Sequence, residues 1–412
     1  MDRFVSLKKS ELMQEVFSFL QGDRELTLKQ QIELAQIPAP SNNERAKSLR
    51  FAELIREIGF EDVDIDDVYN VTVTIRGTVG GPKVLITGHC DTVFDLNTDL
   101  TPKYHEDGSI GIPGICDDTR ALAEVLSMLR AFKKFDIKPI GDLIIGCNVG
   151  EEGLGDLRGI KRLVERIPDL DAFISIDGPK VGGLTYSGVG TNRYQVSFEA
   201  KGGHSYLEFG NANPAFAMGR AMAMLSAVQV PTTPKTTFSV GVVTGGESVN
   251  SIPSVVSMLV DMRSEDPVEL AKLDKQFHEI LQQAVREENE RWQDTDQQGV
   301  TLLVECKGVR PASKQCESDT IVAAALKVLE LMDIPYTPSS NGAGSTDCNW
   351  TLYKGIPSVA IGRGGRGEGT HTINEKFFPI DEFKGPQKDL LTLLGLVGVA
   401  GICQPLLSAL KR

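Results

Sequence analysis

The chain has 412 residues, of which 41% are hydrophobic and 24% are charged, as in an ordinary globular protein. This composition excludes a disordered, collagen-like or coiled-coil chain, and the length allows two or three domains. The formal net charge of −13 repels phosphate backbones, so we expect no nucleic-acid partner.

Helices and short strands alternate through the first part of the chain. The period of the apolar residues predicts one or two helices over 8–36 and a helix over 121–132. A capping-box spacing between Ser41 and Glu44 predicts a further helix that ends near Ile58. This alternation indicates a largely parallel sheet covered by helices on both faces. The strands of that sheet are predicted at 62–66, 69–76, 83–88, 143–149 and 172–176.

The pattern changes near residue 183. Alternating polar and apolar residues predict half-exposed antiparallel strands at 193–200, 237–244 and 254–263. Two helices accompany these strands, one with Pro214 in its first turn and one over 267–292. This segment therefore reads as a separate α+β unit.

The buried-sheet pattern resumes at about residue 300 and includes a short apolar strand at 358–361. We therefore predict an α/β fold with one discontinuous domain, 1–182 and 299–412, interrupted by a smaller α+β domain, 183–298.

An uncharged stretch at 390–410 is long enough to cross a bilayer. Gln404, Pro405 and Ser408 within it, and the mean hydropathy of −0.11 for the whole chain, favour a buried C-terminal helix over a tail anchor. The N-terminus has no continuous apolar segment typical of a signal peptide. The seven cysteines include no CxxC pair. We expect a cytoplasmic protein without a membrane partner.

Residues that commonly bind metals stand in five separate segments, four of them soon after predicted apolar strands. In an open α/β sheet the carboxyl ends of the strands meet at one rim, where ligands bind. Taken singly, each residue has an ordinary explanation, such as a helix-capping acid, a loop acid or a histidine at a strand end. Their convergence on one rim favours a shared site. These residues are His89, Asp91, Asp117, Glu151, Glu152, Asp177 and His371.

Two histidines and three carboxylates of this set form an oxygen and nitrogen ligand set that suits zinc, cobalt or manganese. Five protein ligands fit two divalent ions that share a carboxylate. Two such ions about 3.5–4 Å apart can activate a water and polarise a carbonyl. The other of the two adjacent glutamates, Glu151 and Glu152, would then be free to act as general base. The ligand candidates are His89, Asp117, Asp177, His371 and one of the adjacent Glu151 and Glu152.

These segments resemble the co-catalytic zinc metallopeptidase family that includes tripeptidase T, carboxypeptidase G, aminoacylase and succinyl-diaminopimelate desuccinylase. The resemblance implies a zinc-peptidase-like catalytic domain and an inserted lid and dimerisation domain. The matching motifs follow the family's order along most of the chain: GHCDTV (88–93), GICDD (114–118), GEEG (150–153), ISIDG (174–178), KGGHS (201–205), GGESVNSIP (245–253), VDMRS (260–264) and THTINE (370–375).

The resemblance also implies a role for each metal ligand. His89 and Asp177 would bind one zinc ion, Glu152 and His371 would bind the other, and Asp117 would bridge the two.

Other residues receive catalytic or substrate-binding roles from the resemblance. Glu151 would be the general base and Asp91 would orient His89. His204, often supplied across a dimer in the family, would stabilise the tetrahedral oxyanion. Asn250 and Arg263 would hold the polar end of the substrate.

The function implied is a dinuclear zinc-dependent hydrolase of amide bonds in small substrates, most simply an exopeptidase on short peptides that works as a homodimer. Asp177 and the HxDT pattern resemble the tripeptidase T side of the family. A carboxypeptidase or a deacylase of N-acyl amino acids would use the same site, and a non-catalytic binding protein is a further alternative.

The chain departs from the family in two places. Thr119 and Arg120 stand where many members carry Lys and Gly. A Gly-rich run with two arginines precedes His371 and is predicted either to shape the substrate pocket or to be a mobile loop.

Overall fold

The computed structural model describes residues 2–292, 299–338 and 343–409. The chain contacts divide it into two units: Met1–Gly188 with Lys314–Arg412, and Val189–Ser313. Both boundaries lie further along the chain than the predicted 182/183 and 298/299. The second boundary moves because the strand Thr301–Arg310 pairs with the strand Gly190–Glu199, so it belongs to the inserted unit.

Helices account for much of the described chain. They are α1 (Asp2–Lys9), α2 (Glu11–Gly22), α3 (Arg24–Ala35), α4 (Arg45–Glu57), α5 (Thr119–Phe135), α6 (Arg158–Arg166), α7 (Pro214–Ser226), α8 (Pro267–Arg291), α9 (Thr320–Leu331), α10 (Cys348–Tyr353) and α11 (Lys384–Val397).

The strands are mostly short. They are β1 (Val63–Ile65), β2 (Val71–Ile75), β3 (Lys83–His89), β4 (Lys103–Tyr104), β5 (Ile110–Gly111), β6 (Asp142–Asn148), β7 (Ala172–Ile176), β8 (Gly183–Thr185), β9 (Ser187–Gly188), β10 (Gly190–Glu199), β11 (Gly203–His204), β12 (Thr236–Gly245), β13 (Ser251–Ile252), β14 (Val255–Ser264), β15 (Thr301–Arg310), β16 (Thr337–Pro338), β17 (Ala343–Gly344), β18 (Ser358–Ile361), β19 (Arg366–Glu368) and β20 (Lys376–Phe378).

The main sheet of the first unit has the order β1-β2-β6-β3-β7-β18-β8-β16. Its four central strands, β6, β3, β7 and β18, are mutually parallel, whereas β1 and β2 are antiparallel additions at one side. The predicted mostly parallel α/β sheet is confirmed. The four central carboxyl ends therefore open onto one rim.

Helices cover both faces of this sheet, as predicted. Successive residues of β3 point to opposite faces. Val84 and Ile86 pack into the larger apolar cluster with α5 and α11, while Leu85 packs into a second cluster with α6 and α10. This double burial explains why β3 reads as an uninterrupted apolar run.

The second unit is an antiparallel sheet of order β12-β14-β10-β15. Val256, Met258, Val260 and Met262 of β14 are buried and belong to an apolar cluster that includes residues of α7 and α8. The residues between them are more exposed. The predicted alternation of polar and apolar residues is thus confirmed, and one face of each strand packs against helices.

The predicted helical segment 8–36 holds two helices, α2 and α3, and α1 precedes them. One local prediction is corrected. The capping box is wrong: α4 begins at Arg45 without a side-chain cap. The Ser41 hydroxyl oxygen instead lies 2.7 Å from Asp91 Oδ2 and 2.9 Å from the Glu152 carbonyl oxygen, and its one hydrogen faces these two acceptors. The Ser41 hydroxyl therefore contacts loops that are distant in sequence, and a local spacing rule cannot predict such contacts.

The C-terminal apolar stretch begins as the buried helix α11 and leaves helical geometry at Gly398, short of the predicted 390–410 helix. Across the residues that the structure describes, no helix combines the length and the apolar character needed to cross a membrane.

Candidate metal centre

The seven residues predicted for the rim of the main sheet lie close together. His89 ends β3, and the others follow β3, β6 and β7 or lie in loops that reach the same place. Potential ligand atoms lie within 4.8 Å of one another in a first donor group and in a second donor group. The first donor group is His89, Asp117, Asp118 and Asp177, and the second donor group is Asp117, Glu152 and His371.

Asp117 belongs to both groups through different oxygens. Its Oδ1 lies 3.2 Å from His89 Nε2, and its Oδ2 lies 3.3 Å from His371 Nε2. His371 Nε2 also lies 2.6 Å from Glu152 Oε1. One carboxylate therefore faces both histidines, which is the arrangement a bridging ligand requires.

Asp91 ties His89 to the adjacent acids. His89 Nδ1 lies 3.1 Å from the Asp91 carbonyl and 3.5 Å from its carboxylate, so the backbone oxygen is the nearer acceptor. The Asp91 carboxylate accepts the backbone N–H groups of Glu151 and Glu152 at 3.0 and 2.9 Å. Glu151 also has a carboxylate oxygen within 4.8 Å of potential ligand atoms of His89 and Glu152.

Two buried acids were not predicted as parts of the site. Asp118 accepts the backbone N–H of His89 at 2.8 Å and makes no capping bond to α5. Glu375 accepts the N–H groups of Gly114, Cys116 and Asp117 at 2.8–3.0 Å. Its carboxylate thus holds the loop that carries Asp117. Glu375 lies in the THTINE motif close to His371, and this closeness in sequence could have identified it as part of the site.

Arg363 was also missed, although the Gly-rich run was noted. The run is no mobile loop at this point, because residues 362–364 are buried. Arg363 Nη1 lies 2.8 Å from Asp117 Oδ1 and 2.6 Å from Asp118 Oδ1, and Nη2 lies 3.9 Å from Asp177. No local pattern distinguishes this buried arginine from Arg366, which is exposed.

The close charges shift the pKa values of the cluster. Burial lowers the pKa of His89, but Asp118, Asp117 and Asp91 together raise it well above its ordinary value. Hydrogen bonds to Asp117 and Glu152 raise the pKa of His371 to about 10. Burial raises the pKa of Asp117, yet Arg363 and both histidines bring it well below its ordinary range. The cluster is thus a strongly anionic field that favours cations.

The donor set fits divalent metal ions. It combines two imidazoles and several carboxylates without a thiolate, the chemistry that zinc, cobalt and manganese accept. The ligand candidates are also oriented by further bonds, as metal ligands usually are. The residues that could hold ions are therefore those of the first and second donor groups, together with Glu151, which lies near His89 and Glu152.

His204 and Asn250 of the second unit are brought together by a two-stranded ribbon. His204 pairs with Ser251 across β11 and β13, and Ser205 N–H donates to the Asn250 carbonyl at 3.0 Å. His204 Nδ1 accepts the N–H groups of Tyr206 and Leu207 at 3.2 and 3.4 Å. Because Nδ1 accepts these bonds, the proton of the neutral ring lies on Nε2, which is then a donor.

Arg263 lies elsewhere in the same unit. It is near the C-terminal end of β14, opposite Thr191, and donates through Nε to Asp261 at 2.7 Å. Val255 at the start of β14 is roughly 26 Å away at the ordinary rise per residue. The second unit therefore places Arg263 far from the β11–β13 ribbon.

An open polar pocket adjoins the acids through Ser41. It has a volume of about 610 Å³ and is lined by Pro40, Ser41, Asn43 and residues 95–98. This volume is within the usual range for small-molecule sites.

Fold and donor set together define a hydrolase of the metallopeptidase class. The model of Peptidase family M20/M25/M40 matches residues 85–385. The chain belongs to this family, and the resemblance inferred from its motifs is confirmed.

Solved structures share the fold over nearly the whole chain. A tripeptidase from Staphylococcus aureus subsp. aureus Mu50 is 23% identical with a TM-score of 0.72, covering 90% of this chain and 97% of that one. The aminopeptidase PepT of Bacillus cereus ATCC 10987 is 22% identical, with a TM-score of 0.68 and the same coverage. The Bacillus subtilis YXEP protein, described as a dinuclear metal-binding peptidase, is 14% identical with a TM-score of 0.64, covering 92% and 99%.

Proposed function

We propose that the protein is a dinuclear zinc-dependent exopeptidase that removes the N-terminal residue from short peptides. The observation that carries the dinuclear part of this proposal is the position of Asp117, whose two oxygens face His89 and His371 at 3.2 and 3.3 Å. His89 and Asp177 would hold one ion, Glu152 and His371 the other, and Asp117 both.

The chain's own residues would perform the proton transfers. Two bound divalent ions would acidify a water and polarise the scissile carbonyl. Glu151 would accept the proton of the attacking water and deliver it to the leaving amine. Asp91 supports this role because it fixes the backbone of Glu151 and Glu152 and lies against His89.

Residues of the second unit would bind the substrate. His204 would stabilise the oxyanion through its Nε2–H, and support comes from the two backbone donors that occupy Nδ1. Asn250 is an exposed neighbour of His204 and would hold a polar group of the substrate. The planar guanidinium group of Arg263 is suited to binding a carboxylate of the substrate. It also forms an ion pair with Asp261.

Product analysis by mass spectrometry tests the substrate class. The purified protein, loaded with zinc, cobalt or manganese, is given dipeptides, tripeptides, N-blocked peptides and N-acyl amino acids, with a chelator-treated control. Loss of the N-terminal residue from free-amine tripeptides is the expected result. Cleavage of blocked or acylated substrates alone would instead indicate a carboxypeptidase or deacylase. No metal-dependent cleavage of any substrate would contradict the hydrolytic proposal.

The second part of the proposal is a cytoplasmic homodimer through the inserted unit. Support for pairing comes from the edge strand β12, where Val242 and Val243 are exposed. The separation of Arg263 from the β11–β13 ribbon also favours His204 being supplied by a second protomer. The free state of the seven cysteines agrees with a reducing compartment.

Subunit mixing tests whether His204 acts across a dimer. Glu151→Gln and His204→Ala chains are co-expressed, and the mixed species is purified by two different affinity tags. One complete centre then forms in each mixed dimer, so we expect about half of the wild-type rate per dimer. A mixed dimer no more active than the average of the two parents would show that His204 acts within its own chain. A monomeric mass from light scattering would contradict the dimer itself.

A further inference from the structure

The Gly-rich run before His371 carries two arginines in opposite environments. Arg363 is 3% exposed, whereas the side chain of Arg366 is 52% exposed and pairs with Glu368 at 3.4 Å. Arginine keeps its charge at every physiological pH. The chain therefore buries one permanent positive charge against the carboxylates that would hold metal cations.

The ion pairs of Arg363 are distributed unequally. Within the described residues they reach Asp117 Oδ1, Asp118 and Asp177, all in the first donor group. The second donor group uses the other oxygen of Asp117, which faces His371. An ion bound by His89, Asp117 Oδ1 and Asp177 would share an oxygen with the guanidinium, and an ion bound by Glu152 and His371 would not.

The guanidinium is anchored in this position. Its Nε donates to the Gly178 carbonyl at 3.0 Å, and the backbone N–H of Arg363 donates to the same oxygen at 3.0 Å. The backbone beside it is tightly packed, since a Cβ on Gly362 would stand 1.6 Å from the Lys180 carbonyl oxygen. Arg363 therefore has little room to withdraw when a cation approaches.

We propose that Arg363 makes the two metal positions unequal, so that the position of the first donor group is the weaker and exchanges its ion more readily. Like charges repel strongly at short range inside a protein, and burial limits screening by salt. The same charge compensates Asp118, which would otherwise be a buried carboxylate close to two further acids, Asp117 and Asp177. This inference rests on the proposed dinuclear centre and is independent of the substrate.

Cobalt titration of the metal-stripped protein tests the inference without measuring turnover. Calorimetry and the visible absorption of bound Co²⁺ report the number of ions and their stepwise affinities. We expect two steps whose dissociation constants differ by at least about tenfold. Asp177→Asn should abolish the weaker step, and His371→Ala should abolish the stronger one.

Variants of Arg363 and Arg366 test whether the positive charge of Arg363 causes the difference between the two metal affinities. Arg363→Met should tighten the weaker step by about tenfold or more and leave the stronger step nearly unchanged. Arg363→Lys keeps a positive charge and should keep two separated steps. Arg366→Met removes the same charge from the same run and should leave both steps as in the wild type.

Three results would overturn the inference. Two of them are equal affinities for both ions in the wild type and loss of the stronger step in Asp177→Asn. The third is an Arg363→Met protein whose weaker step is no tighter than in the wild type. The first two need no Arg363 variant, so the test stands even if Arg363→Met does not fold. Failure to bind two ions at all would instead contradict the dinuclear centre on which the inference rests.

Discussion

In the first unit the metal-ligand candidates, His371 aside, are buried or nearly so, and their donor atoms lie within 4.8 Å of one another in each group. In the second unit His204 and Asn250 are exposed and bond mainly within their own loops. Burial and mutual bonding hold donor atoms within a few ångströms, as metal binding requires. Exposed side chains on a short ribbon are suited to meeting a substrate. The candidate metal ligands therefore lie in the first unit, and the residues proposed to bind the substrate lie in the second.

The largest expected effect comes from Glu151→Gln, which would separate turnover from metal binding inside the first unit. Loss of the proton acceptor should lower kcat about 10³-fold, with the metal content unchanged. Metal content is measured by plasma mass spectrometry beside the kinetics. Glu165→Gln, an exposed change on α6, is the control. Normal turnover in Glu151→Gln would remove the general-base role.

His204→Ala tests the catalytic role proposed for the second unit. It should lower kcat about 10²-fold through loss of an oxyanion donor, without changing the number of bound ions. His278→Ala, a partly exposed histidine on α8 of the same unit, should be nearly neutral. If His204→Ala releases metal, then His204 is a ligand and the division between the units is wrong.

Glu375→Gln tests how far the metal centre depends on its supporting bonds. The amide offers one acceptor oxygen and no charge to the three N–H groups near Asp117, so metal affinity should fall about 10–100-fold. Competition with a chromophoric chelator measures this change. Glu368→Gln alters an exposed acid close in sequence and should leave affinity unchanged.

The smallest expected effect is that of Arg263→Ala. It should raise KM about tenfold for peptides with a free C-terminal carboxylate and leave metal content unchanged. The same peptides with an amidated C-terminus are the matched substrates, and Arg286→Ala on α8 is the control variant. An equal change in KM for both kinds of peptide would show that Arg263 does not recognise a carboxylate.

Much of the first unit could be predicted from sequence because its rules are local. Buried parallel strands read as apolar runs, and His89, Glu152 and Asp177 follow such runs closely. The inserted unit was also found, but its end was misplaced because β15 pairs with β10 across a long sequence separation. Pairing partners of that kind leave no trace in a local pattern.

The supporting residues could not be predicted for a similar reason. Ser41 looks like a helix cap until its hydroxyl is found on Asp91, and Arg363 looks like its exposed neighbour Arg366 until its burial is known. Each acts through tertiary contacts that spacing does not encode. The positions of Asp118 and Glu375 were visible in the motifs, but their bonds to His89 and to the Asp117 loop were not.

Anomalous diffraction at the zinc edge, from crystals grown with Zn²⁺, tests the central claim most directly. Two peaks about 3.5–4 Å apart are predicted, one among His89, Asp117 and Asp177 and the other among Asp117, Glu152 and His371. A single peak, or peaks ligated by other residues, would contradict the dinuclear centre.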